Sequence, residues 1–199
     1  MARVSTPPSP APSDHPSASG PDARAVRALA DAVREIEHHV AGAGWDAPVR
    51  VFALVRTRAA LASEPGLAAQ LDPAVLAAAE ADDWHLTSIE QEGLPAADDL
   101  EQLLAGLSWP PAVDGAAVTV ERVVLPPEAE ADLPDDPEQA LSALLAHPAR
   151  QDVRIAVGAL RAGPAWCALR TRANDSDDAV GQGPDLVPGL VQAVRATLD

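Results

Sequence analysis

DVRIAVGALRAGPAWCALRTR, residues 152–172, decides the fold. Two apolar runs, 152–160 and 165–172, flank Arg161-Ala162-Gly163-Pro164, where glycine and proline break any regular element. A pair of short, β-rich runs about so short a break forms a β-hairpin. A two- or four-residue loop sets Leu160 opposite Ala165. In that register one face carries Val153, Ile155, Val157, Ala159, Trp166, Ala168, Arg170 and Arg172. The other carries Arg154, Ala156, Gly158, Leu160, Ala165, Cys167, Leu169 and Thr171. The second face is small enough for a helix to approach the backbone closely. The first is bulky at the turn and cationic at its far end.

Outward from the hairpin, helices and strands alternate. Val26, Leu29, Val33, Ile36 and Val40 recur at spacings of three and four, which predicts one amphipathic helix ended by Gly42 and Gly44. His38 and His39 fall in its last turn, where a cation suits the helix dipole. VRVFALVRT, 49–57, is apolar on both parities and reads as an interior strand. Helix follows, broken by Pro65 and restarted by Asp72-Pro73 as cap and first-turn proline. HLTSIEQ, 85–91, is poor in apolar residues and reads as an edge strand. Glu90 and Glu92 share a parity there, and a solvated charged edge accounts for them without acid–base chemistry.

A helix is expected from Asp98, with Glu101 at capping-box spacing and Leu100, Leu103, Leu104 and Leu107 as its stripe. AVTVERVVL, 117–125, is a strand whose Glu121 and Arg122 point to opposite faces. Asp136-Pro137 opens a helix with Leu141, Leu144 and Leu145. The last helix, with its cap near Asp185, carries Val187, Leu190, Val191, Val194 and Leu198. This order predicts an α+β domain with a mostly antiparallel sheet of about five strands packed with about five helices. A mixed α/β sheet with helices on both faces is the alternative. The domain spans residues 22–199, and residues 1–21, rich in proline, serine and alanine, are expected to be disordered.

The totals narrow function more than they assign it. The chain has 199 residues, 47% of them hydrophobic, and a formal net charge of -16. All fourteen of its cationic side chains are arginine. Such a balance argues against nucleic-acid binding and against adhesion to anionic lipid. Cys167 stands alone in an apolar stretch, which suits a buried inert thiol. No run is long and apolar enough to span a membrane and no secretory leader is read at the start, so a cytoplasmic location is expected. There is no phosphate loop, nucleophile elbow or dinucleotide fingerprint. Asn174 to Asp178, NDSDD, lacks the glycine and closing glutamate of a calcium loop.

No catalytic residue, metal ligand or cofactor is therefore expected. The candidate ligand-binding residues are Arg122, Arg154, Arg170 and Arg172, since guanidinium forks suit carboxylate or phosphate. Pairing with the excess acids explains the same residues more simply. The acidic, proline-rich loop 126–136 is read first as a solvated connection, with a docking segment as the alternative.

Several longer phrases carry a resemblance. They are AGWDAPVRVFALVRT (43–57), HLTSIEQEGLP (85–95), VERVVLPPEAEADLPDDP (120–137), HPARQDVRIAVGALR (147–161) and GPDLVPGL (183–190). Over residues 25–199 the chain resembles an uncharacterised family of actinobacterial proteins. That resemblance implies no established activity and brings no functional residues with it. The expected role is a non-enzymatic protein–protein interaction, adaptor or chaperone-like module. The alternative is a small anionic-ligand-binding protein, or an unfamiliar enzyme using the sheet arginines.

Overall fold

The computed structural model describes residues 22–161 and 163–199; the tail expected over residues 1–21 lies outside them. Helix α1, Ala23–Ala41, begins where Asp22 accepts the Arg24 N–H at 2.9 Å. Strand β1, Arg50–Arg56, leads into α2, Thr57–Ser63, a 3₁₀ turn, Pro65–Ala69, and α3, Pro73–Ala81. Then come β2, Leu86–Glu90, α4, Leu100–Ala105, and β3, Gly115–Val124. The chain continues through α5, Pro127–Glu130, and α6, Pro137–Ala146, to β4, Gln151–Leu160. Strands β5, Ala165–Thr171, and β6, Gly181–Gly183, precede α7, Pro188–Ala196.

The six strands form one sheet in the order β2-β1-β3-β4-β5-β6, and every neighbouring pair is antiparallel. The class is α+β, with one strand more than expected: β6 pairs with β5 through Gly181 and Gly183. Helices cover both faces. Helix α1 buries Leu29, Val33 and Ile36 against Phe52, Leu54, Ala117, Ala156 and Ala168. On the other face α4 and α7 bury Leu103, Leu104, Val191 and Val194 against Val118, Val157 and Cys167. Each such aliphatic side chain, removed from water, stabilises the fold by roughly 1.5–3 kcal/mol before ordering costs. Close approach of α1 depends on Gly158: a Cβ there would lie 2.6 Å from Val33 Cγ2 and 3.1 Å from Leu29 Cδ1.

The hairpin register differs by one residue from the expected one. Gly158 faces Trp166, Ala156 faces Ala168 and Arg154 faces Arg170. The cause is the loop. Leu160 N–H donates to Pro164 O at 2.9 Å and Gly163 N–H to Leu160 O at 3.0 Å, so three residues, 161–163, make the connection. Gly163 has φ +106°, the left-handed residue that three-residue hairpins require. A slip of one residue exchanges the faces of one strand relative to the other. Ala165, Cys167 and Leu169 therefore join Val153, Ile155 and Val157 under α7, while Trp166, Ala168, Arg170 and Arg172 join Arg154 and Ala156 under α1.

Smaller corrections have local causes. Asp99, not Asp98, caps α4: its carboxylate accepts Gln102 N–H at 2.7 Å, and Gln102 Oε1 accepts Asp98 N–H at 2.7 Å. Helix α7 is preceded by Val187 rather than capped near Asp185, because Pro188 takes its first position. Leu141 and Leu145 of α6 lie outside the core, 56% and 47% exposed.

Candidate functional site

The one-residue register change gathers three of the four candidate arginines at one end of the sheet. Arg154 and Arg170 sit on adjacent strands beneath the end of α1, 1% and 3% exposed. Arg172 follows at the rim, and Arg122 lies apart, exposed on the opposite parity of β3, its Nη1 on Glu121 O at 3.1 Å.

Arg170 grips the buried Glu37 of α1 with two parallel bonds, Nε to Oε1 at 2.6 Å and Nη2 to Oε2 at 2.8 Å. Its remaining donors reach Asp175 at 3.2 Å and Asp177 at 2.7 Å. Arg154 bonds Glu121 Oε1 through Nε and Nη2, and Nη2 also donates to Gly44 O. Its guanidinium lies 4.4 Å from the Trp45 ring centre, and that of Arg172 lies 5.0 Å from the same ring. Trp45 Nε1 donates to Asp175 at 2.8 Å. Arg172 pairs with Asp46 at 2.6 Å and Asp152 at 3.4 Å. The backbone is bent to fit: Asp46, with φ 67°, donates its N–H to Glu121 Oε2 at 2.7 Å.

Six carboxylates thus surround three guanidiniums. A bidentate, fully bonded pair is what a buried arginine needs to offset its loss of water. Hydrogen bonding to Glu37 raises the Arg170 pKa despite burial, with Asp177 and Asp175 adding to it. The Trp45 N–H, then Arg170, holds Asp175 below the usual carboxylate range, and Arg170 does the same for Asp177. A cavity of about 250 Å³ opens beside the cluster, next to Arg34, His38 and Gln182. The guanidinium edges near it already face carboxylates. What the arrangement does is fasten α1, the 44–46 turn and the 174–177 loop to the sheet.

Glu37 is the residue that sequence reasoning missed. Its signal was present: it lies four residues after Val33, so helical spacing puts a charge beside the apolar stripe. A charge in such a place needs a buried partner.

A second polar cluster lies at the opposite corner. Thr57 Oγ1, 1% exposed, is 2.8 Å from His85 Nδ1, 3.2 Å from His85 O and 2.7 Å from Thr87 Oγ1. Three partners exhaust a hydroxyl's bonding capacity, so this contact ties the start of α2 to β2. Among the described residues no three histidine, cysteine or acidic side chains are grouped to hold a metal ion. None of the helices there is long and apolar enough to cross a membrane.

The excursion between β3 and β4 is built differently. Helices α5 and α6 bury none of their residues. Asp136 accepts Gln139 N–H at 3.0 Å, Pro137 takes the first position, and Arg150 holds Leu145 O at 2.6 Å. Those local devices hold a helix of ten residues, a length that is marginal in water without packing. Leu141 and Leu145, one turn apart, share its outer face. Glu128, Glu130, Asp132, Asp135, Asp136 and Glu138 precede them in the same excursion, and between Arg122 and Arg150 the chain has no lysine or arginine.

These features define an α+β protein with one antiparallel sheet, a buried ion-pair clamp at one end and an acidic helical excursion beyond it. The chain belongs to the PPA1309-like protein family, whose model matches residues 29–199. No curated protein and no solved structure matches it.

Proposed function

We propose that the chain is a non-enzymatic protein-interaction module that acts through the α5–α6 excursion. The observation that carries this is the exposed leucine pair on a helix without a fully buried residue, in a stretch of chain rich in acid and free of lysine and arginine. Exposed apolar side chains grouped within a polar rim mark interaction surfaces. The fitting partner is a basic segment with apolar anchors, docked as helix against helix. Its arginines or lysines answer the carboxylates, so association is steered and weakens with salt.

The anionic-ligand reading has less support. An incoming phosphate or carboxylate has to displace Glu37, Asp175 or Asp177 from Arg170, against a local excess of negative charge. A photo-crosslinking residue placed at Leu141 in the native cell tests the proposal. One dominant adduct with a basic protein segment, lost in a Leu145→Gln background, is expected. Crosslinking at Gln182 but not at Leu141 would move the site to the cavity beside the clamp.

A further inference from the structure

The strand at the other end of the sheet points to a second contact. Strand β2 is an edge. Its ladder to β1 is anchored by Gln91 N–H to Val51 O at 2.8 Å and Thr57 N–H to His85 O at 3.0 Å. In an antiparallel pair such bonds alternate. The odd-numbered residues of β2 therefore bond β1, and the N–H and C=O of Ser88 and Glu90 face away from the sheet. Among the described residues no partner meets them, and residues 88–90 are exposed. Beside this edge lies the largest of the described clefts, about 430 Å³. Val55, Thr87 and Ile89 line it from the sheet, and Ala60, Leu67 and Leu71 from the segment after β1. Ile89 is 48% exposed at its mouth.

We propose that an extended peptide with alternating apolar and basic residues adds as a seventh strand along Ser88–Glu90 and sends an apolar side chain into this cleft. Strand addition supplies main-chain hydrogen bonds, and the side chains of the added strand alternate between faces. Those in line with Thr87 and Ile89 lie on the cleft side. Charge decides the partner's chemistry. Between Arg58 and Arg122 the chain has no lysine or arginine. Arg56 in the cleft wall is answered by Asp114 at 2.9 Å, which leaves Glu64 as the lining charge without a cation among the described residues. Glu90, on the other face of the strand, is shared by Arg50 at 3.7 Å and His39 at 3.8 Å. A second copy of this chain fits less well, because self-pairing about Ile89 sets Glu90 opposite Ser88 and brings no cation to Glu64.

The probe is a short alternating Arg–Val peptide, with alternating Glu–Val as control, titrated into the full chain at about 150 mM salt, where long-range attraction is screened. Amide resonances and hydrogen exchange are followed. We expect new protection at the Ser88 and Glu90 amides and shifts of the Leu67 and Ile89 methyls. Ser88→Pro removes only an outward N–H and leaves the β1 ladder intact; it should weaken binding at least about tenfold, as should Ile89→Gln. Leu141→Gln/Leu145→Gln should leave the protection at Ser88 and Glu90 unchanged, which separates this site from the excursion. Equal binding of the Glu–Val peptide, or shifts confined to other surfaces of the wild-type chain, would overturn the proposal. So would a dimer in sedimentation that Ser88→Pro dissolves.

Discussion

The two charged regions of this molecule follow opposite rules. At the clamp, acids and arginines are interleaved about a buried Arg170–Glu37 pair, and each guanidinium meets at least one carboxylate. At the excursion, a run of acids without lysine or arginine leads into a helix whose Leu141 and Leu145 face water. The contrast teaches that charge counted along a chain says little until its partners are located. Paired and buried, it fixes the fold; unpaired beside apolar surface, it is available to another molecule.

Breaking the clamp should have the largest effect. Arg170→Met leaves Glu37 buried without its partner, which costs about 3–5 kcal/mol, read by chemical denaturation. A smaller loss than for an exposed ion pair, about 0–1 kcal/mol, would mean the clamp is dispensable. Gly158→Ala comes next. Its methyl must push aside Val33, whose β-branched side chain is stiff in a helix. Overpacking of this kind costs about 1–3 kcal/mol, and Val33→Ala in the same chain should recover part of it.

Acid sharpens the comparison further. Asp175 and Asp177 titrate below the usual carboxylate range in the folded chain. The stability they contribute is therefore complete above the ordinary carboxylate value, about 4, and is lost as pH falls through their lowered values. In Asp175→Asn/Asp177→Asn the acid limb of a stability–pH curve should flatten. The smallest stability effect belongs to the excursion. Leu141→Gln/Leu145→Gln changes exposed side chains and should shift unfolding by less than about 0.5 kcal/mol.

Much of the fold was legible because periodicity reports burial. The α1 stripe, the interior strand 49–57, the weak edge strand and the hairpin all stand where their patterns place them. The hairpin register was not, because it turns on loop parity. Gly163 at the third loop position is the available signal, and it favours a three-residue loop over one of two or four residues. A one-residue slip separates Arg154 from Arg170, and with it hides the clamp. Glu37 and Trp45 reach the clamp across long stretches of chain, a proximity that local pattern does not encode. Helical spacing groups the α6 leucines without saying whether anything covers the face they share.

The most direct measurement compares two variants side by side for affinity to the partner crosslinked at Leu141. Leu141→Gln/Leu145→Gln, folded and as stable as the wild type, should lose binding by about a hundredfold or more, as removal of central apolar anchors does. Arg172→Gln, altered at the clamp's rim, should bind as the wild type does. Retained affinity in the first variant together with loss in the second would contradict the account.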